Sequence, residues 1–223
     1  TVEILKRHPQ ISVGLHSCLN SEWKPYRWGP VLPVTEVPTL VDEWGKFHGS
    51  VKALIDGNPD LDQVDREIRA QVDLALRKGL KLSYIDHHMS AAVRIPGMKK
   101  RFVKIAEDYQ LGISRWFGEI AEVGVYSVTP ELKTATLLKQ IRALRKPGLY
   151  LIVCHPGLNT PEMSVLEDLN VSGLKNMSLH REAETMALCN PELKKVLIEK
   201  NIQMVGYDTL KQWFLDQMRD PEP

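Results

Sequence analysis

The chain has 223 residues, room for one large α/β domain or two small ones, and its 43% hydrophobic and 26% charged residues are the make-up of an ordinary globular protein whose core closes without disulfides. A net charge of +1 supplies no drive toward nucleic acid or an anionic membrane, and no apolar run approaches the roughly 20 residues that span a bilayer. Cys18, Cys154 and Cys189 contain no CxxC pair and leave an odd thiol, which argues against a disulfide framework and fits either a reducing compartment such as the cytoplasm or mere core filling.

The chain opens on Val2, Ile4 and Leu5, which read as the end of a helix running into a first strand, Ile11 to Leu15, that delivers His16. From Ser17 to about Ser50 lies a long segment rich in aromatics and prolines. Loops of this length tend to be functional or disordered, and Trp23, Tyr26, Trp28, Trp44 and Phe47 favour an ordered loop. Its stretch Ser21 to Pro30 interleaves rings with Glu22 and Arg27, and aromatic faces of this kind stack on sugars. The alternative is a loop anchored by its tryptophans in a small core of its own. Asp60 caps a helix through about Lys78, with Leu61, Val64, Ile68, Val72 and Leu76 on one face and Gly79 as terminator.

A buried strand, Leu82 to Ile85, then ends in Asp86, His87 and His88. After Pro96 the spacing of Met98, Phe102, Ile105 and Tyr109 predicts a core-facing helix, and Ile113 to Phe117 a short strand; Gly118 to Thr129 is left open between loop and strand. Pro130 to about Arg145 reads as a helix. A strand from Leu149 to Cys154 delivers His155, ahead of Pro156-Gly157. Helices follow over Ser178 to Leu188, carrying His180, Arg181 and Glu184, and over Pro191 to Lys200, capped by Asn190. Ile202 to Tyr207 reads as the last strand and Asp208 to Met218 as the final helix.

Strands alternating with helices imply a parallel sheet with right-handed crossovers. The absence of GxGxxG and GxxxxGK[ST] argues against dinucleotide and P-loop chemistry. Polar residues at the carboxyl ends of parallel strands line the functional face. A lone histidine is more often a structural residue than a ligand, but three strands each ending in one, with Asp86 beside His88, favour a divalent-metal site. His87, one residue out of phase, points to the opposite face and reads as structural.

The pieces Val13-Gly14-Leu15-His16, Ser21-Glu22-Trp23, Arg27-Trp28-Gly29-Pro30-Val31, Val37 to Asp42, Ile85-Asp86-His87-His88-Met89, His155-Pro156-Gly157, His180 to Glu184 and Gly206 to Leu210 together resemble the YdjC/ChbG-type carbohydrate deacetylases, a group that includes hopanoid-biosynthesis deacetylases. The resemblance runs nearly end to end. It implies a single domain over 1–223, a distorted (β/α) barrel of mostly parallel strands related to polysaccharide deacetylases, and metal-dependent removal of N-acetyl groups from small amino-sugar substrates. By the same resemblance His16 and His88 match metal ligands for magnesium or zinc, and His155 matches the catalytic-centre histidine. Asp86 matches the family's strand-end Asp, as base or as the residue that orients a ligand; the loop's pattern of rings and charges, apart from the resemblance, makes Trp23, Arg27 and Trp28 the expected sugar contacts. Members of that family begin with a strand ending in an Asp-Asp pair, which nothing before His16 matches, so an N-terminal strand is expected outside these residues. Arg181 and Glu184 read as an ordinary helix pair, worth roughly 0.2–0.5 kcal/mol. The rivals are a phosphoesterase, using Arg27 and Arg115 for phosphate, and a catalytically degenerate carbohydrate-binding protein. The default oligomer is a two-fold homodimer.

Overall fold

Two strands from distant parts of the chain carry the candidate residues His16 and Asp86, and their pairing is parallel. Strand β1 (Val13–Ser17) lies beside β2 (Leu82–His87), and β2 beside β3 (Gly112–Ile113), giving the sheet order β1-β2-β3. The register sets Leu15 opposite Ile85, His16 opposite Asp86 and Ser17 opposite His87, after an irregularity between Val13 and Gly14. Gly14 is required there, because a Cβ would fall 2.2 Å from the ring of Tyr84 on the neighbouring strand. The fold is therefore α/β with a parallel sheet.

The computed structural model describes residues 1–121 and 123–220, which divide into two compact units: Thr1–Phe117 with the segment from Val205 onward, and Gly118–Met204. In the first unit the helices are α1 (Val2–Arg7), α2 (Val51–Asp56), α3 (Leu61–Arg77), α4 (Ala91–Arg94) and α5 (Met98–Asp108). Asp60 caps α3 by accepting from the amides of Asp62 and Gln63, and Val64, Ile68 and Val72 are fully buried. Met98, Phe102 and Ile105 of α5 are equally buried, joining Ile85, Ile113 and Leu40 in one core, so that predicted stripe is packing.

The segment 17–50 is ordered. Leu19, Val37, Leu40 and Phe47 sink into the same core, Val41 bridges Phe47, and the Trp28 carbonyl accepts from the Phe47 amide. The buried Glu67 of α3 accepts from the amides of Val31 and Leu32 at 2.9 and 3.0 Å, pinning the loop to the helix.

The second unit carries α6 (Lys133–Ala143), α7 (Pro161–Ser164), α8 (Met177–Leu188) and α9 (Pro191–Glu199) around Val123, Val125, Leu137, Ile141, Ala187 and Val196. Asn190 caps α9 as expected. The predicted strand from Leu149 shrinks to a single parallel bridge between Ile120 and Tyr150, within the segment left open between loop and strand; Glu122 of that segment lies outside the described residues. Ile202 to Gly206 likewise forms no ladder; Tyr207–Phe214 is helix α10, of the first unit. Apolar runs supply burial, but a strand also needs a neighbour along its length to share its backbone hydrogen bonds, and among the described residues these runs find at most the one bridge at Ile120. No helix among the described residues is long and apolar enough to cross a membrane.

Candidate active site

Because His16 and Asp86 are register partners on parallel strands, their side chains emerge on the same face. His16 Nδ1 lies 2.6 Å from Asp86 Oδ1. His88, two residues beyond Asp86, returns to that face, and its Nδ1 stands 3.1 Å from Nε2 of His16, the two rings meeting edge to face with centroids 5.2 Å apart. The far nitrogen of His88, Nε2, lies 2.9 Å from Oε2 of Glu22. The result is a continuous row: Asp86, His16, His88, Glu22.

An ionised carboxylate only accepts hydrogen bonds. Asp86 therefore requires a proton on Nδ1 of His16, and Glu22 one on Nε2 of His88, which leaves the two facing nitrogens to share either a proton or a cation. The hydrogen bond to Asp86 outweighs burial and raises the pKa of His16. Two nitrogens bound to one tetrahedral zinc at about 2.0–2.1 Å would be roughly 3.3–3.4 Å apart, close to the observed separation. Ring nitrogens facing each other with their opposite nitrogens on carboxylates are also the usual arrangement of metal-binding histidines. The pair thus fits a divalent ion as two of its ligands. Among the described residues no group of three or more His, Cys, Asp and Glu side chains is arranged to hold one.

The backbone around the row is fixed. The Ser17 hydroxyl donates to the carbonyl of Asp86 at 2.7 Å, tying the strand ends together. Met89 and Ser90, directly after His88, are both left-handed (φ +49° and +61°), a conformation costing roughly 1–2 kcal/mol per residue that persists only where surroundings enforce it. Asn20 supplies part of that enforcement: fully buried, its amide donates to Glu22 Oε2 and to Met89 Sδ, each at 3.2 Å. His87 turns the other way, its ring 5.8 Å from Phe102, and burial lowers its pKa.

The predicted sugar contacts divide. Arg27 is used within the loop, bonded to Asp42 Oδ2 at 2.9 Å and to the carbonyl of Phe47. Trp28 is also built in: its amide donates to Ser21 Oγ, its indole N–H to Cys18 Sγ, and with Phe47, Leu15 and Leu74 it walls a pocket of about 320 Å³. Burial pushes the Cys18 thiol up to about 11, so it is no nucleophile. Trp23 is half-buried, whereas Tyr26 and Trp44 stand out, 69% and 71% exposed.

In the second unit His155 is half-buried, its ring 5.3 Å from that of Tyr126, and its backbone N–H donates to Glu184 Oε2 at 2.6 Å. Both oxygens of Glu184 are engaged: the other takes Lys133 Nζ at 2.9 Å, both side chains being buried, and Lys133 places its remaining donors on the carbonyls of Val125 and Tyr126. His180 is half-buried and burial lowers its pKa.

The first unit thus brings together His16, Asp86 and His88. Sequence reasoning placed Glu22 in the aromatic loop and in the family motif but gave it no part beside the histidines, and it left out Asn20 and Lys133, the latter looking like any helix cation.

Comparisons with known proteins bear on this geometry. The family model described as YdjC-like protein matches residues 1–199. Three proteins named carbohydrate deacetylase are similar to the chain. The one from Thermus thermophilus is 30% identical over 84% of this chain and 74% of its own length. That from Listeria welshimeri is 32% identical, and that from Brevibacillus brevis 26% identical, each over 94% of this chain and 82% of its own. A crystal structure from Enterococcus faecalis, named for cellobiose-phosphate cleavage, matches with a TM-score of 0.73 at 21% identity over 94% of this chain and 82% of that one, a likeness of fold.

Proposed function

This chain belongs to the YdjC-like family, and from that premise we propose that it is a metal-dependent hydrolase removing N-acetyl groups from small amino-sugar substrates of the chito-oligosaccharide type. The observation that carries the reading is the pair of ring nitrogens on His16 and His88, facing each other at 3.1 Å with carboxylates behind both. The relatives named carbohydrate deacetylase support the same chemistry.

A magnesium or zinc ion held by the pair would supply Lewis acidity toward the acetyl carbonyl and, if zinc, a water acidified toward a pKa of about 7. The chain's own residues do the rest. Asp86 holds the proton of His16 on Nδ1, so Nε2 of that ring offers its lone pair inward. In the reaction a water oxygen adds to the carbonyl carbon and gives up its proton to solvent, the C–N bond breaks as nitrogen takes a proton, and acetate and a free amine leave. We assign the proton delivered to the departing amine to His155, since imidazole is the side chain best suited to general acid work near neutral pH. The contact with His16 supports an orienting role for Asp86 over that of base. Of the expected sugar contacts we keep Trp23, since Arg27 and Trp28 hold the loop.

We further read the parallel strands as part of the wall of a distorted (β/α) barrel, supported by the helices between successive strands. A cytoplasmic setting is supported by the free thiols of Cys18, Cys154 and Cys189. A phosphoesterase is disfavoured because Arg27, one of its two phosphate candidates, is paired with Asp42.

The test is acetate release from N-acetylated chito-oligosaccharides with and without chelator. Release that chelator abolishes is expected. No acetate, with a ligand-induced rise in melting temperature, would make the protein a sugar binder instead.

A further inference from the structure

Glu22 is a carboxylate only 4% exposed, beside an Asn20 that is fully buried, on a loop otherwise concerned with packing. Burying a charge is costly unless it is hydrogen-bonded, so a carboxylate in this place is held for its contacts. Two are visible: Nε2 of His88 at 2.9 Å and the Asn20 amide at 3.2 Å. The Asn20 amide also reaches Sδ of Met89, in the left-handed turn that follows His88. One amide therefore fixes both the acid and the turn carrying the ring. The reverse orientation of that amide would set a carbonyl oxygen against the carboxylate, so the donor must face Glu22.

We propose that Glu22, held by Asn20, is a positioning residue that keeps the proton of His88 on Nε2 and so makes Nδ1 the ligating atom of that ring. It is the counterpart of Asp86, which does the same for His16 with the nitrogens exchanged: His16 binds through Nε2 and His88 through Nδ1. This inference rests on reading the histidine pair as a cation site. It goes further in assigning which nitrogen of each ring meets the ion, and in giving the loop a task at that site. The pairing is non-local, 66 residues apart, so it depends on the fold of the loop as a whole.

The experiment is a zinc titration of the full chain by calorimetry, run on the unaltered protein, His88→Ala, Glu22→Ala and Glu22→Gln, with circular dichroism to confirm folding. Loss of a carboxylate behind a ligating histidine weakens metal binding by about 10–100-fold. Glu22→Ala is expected in that range. Glu22→Gln, which keeps an acceptor oxygen of the same reach, should recover part of the loss, and carries the test if Glu22→Ala does not fold. Zinc binding lost in His88→Ala but unchanged in both Glu22 variants would overturn the assignment while leaving the cation site standing. If the unaltered protein binds neither zinc nor, in a parallel titration, magnesium, the cation reading fails instead. Nuclear magnetic resonance of the metal-free protein then decides the orienting role alone. A downfield, slowly exchanging Nε2 proton on His88 that disappears in Glu22→Ala supports it, and an unchanged signal rejects it.

Discussion

Both units hold a histidine beside a buried carboxylate, and they use the acid in opposite ways. In the first unit Glu22 and Asp86 reach ring nitrogens, and the rings they hold remain partly open to solvent, His16 most of all with 55% of its side chain exposed. In the second unit Glu184 reaches the backbone N–H of His155, while Lys133 neutralises it with both side chains out of solvent. The first arrangement leaves directed, unsaturated nitrogens where a ligand can arrive. The second consumes its charges internally and fixes a stretch of main chain that has no sheet to hold it. A buried carboxylate therefore marks a reactive site only when its partner is a side chain that still has a second valence to offer.

The sharpest way to break this contrast is His88→Ala, which should abolish zinc binding and acetate release together; either one surviving in full would contradict the assignment. His155→Ala should instead keep the metal and lose turnover by on the order of 10²–10⁴-fold, the usual contribution of a positioned acid. Calorimetry beside the acetate assay separates the two. If His155→Ala loses zinc as well, the two histidines are not doing different jobs.

Glu184→Ala should leave zinc affinity unchanged but cost about 3–5 kcal/mol of stability, because Lys133 is left charged and buried without its partner. Denaturant titration measures it. The paired change Lys133→Met with Glu184→Leu should return most of that loss. Asp86→Asn should behave oppositely, weakening zinc by about 10–100-fold with little effect on folding.

The smallest effect is on pH. The folded pKa of His16 is raised, so in chelator-treated protein its bond to Asp86 contributes stability that is full below the ordinary histidine value near about 6.5 and fades as pH rises through the folded value. Zinc binding needs the deprotonated ring and should strengthen over the same interval. Melting curves with and without zinc should diverge as pH rises above about 6.5, and Asp86→Asn should reduce the divergence.

What the sequence makes legible is local. Asp60 and Asn190 announce their helices, the Met98, Phe102 and Ile105 stripe announces its burial, and the apolar runs before His16 and Asp86 announce two real strands. The run before His155 has the same composition but reduces to one bridge, because ladder formation depends on a neighbour that no local pattern specifies. The same limit hides Glu22 and Lys133. Their partners lie 66 and 51 residues away, and a carboxylate in an aromatic loop or a lysine on a helix looks like solvated charge until the chain is folded. His16 and Asp86 were findable because strand ends have a fixed meaning in parallel folds, whereas loop acids do not.

X-ray absorption combined with anomalous diffraction on zinc-loaded protein tests the central claim most directly. The account predicts one ion within about 2.0–2.1 Å of both His16 Nε2 and His88 Nδ1. An ion bound elsewhere, or touching only one of the two rings, would contradict it.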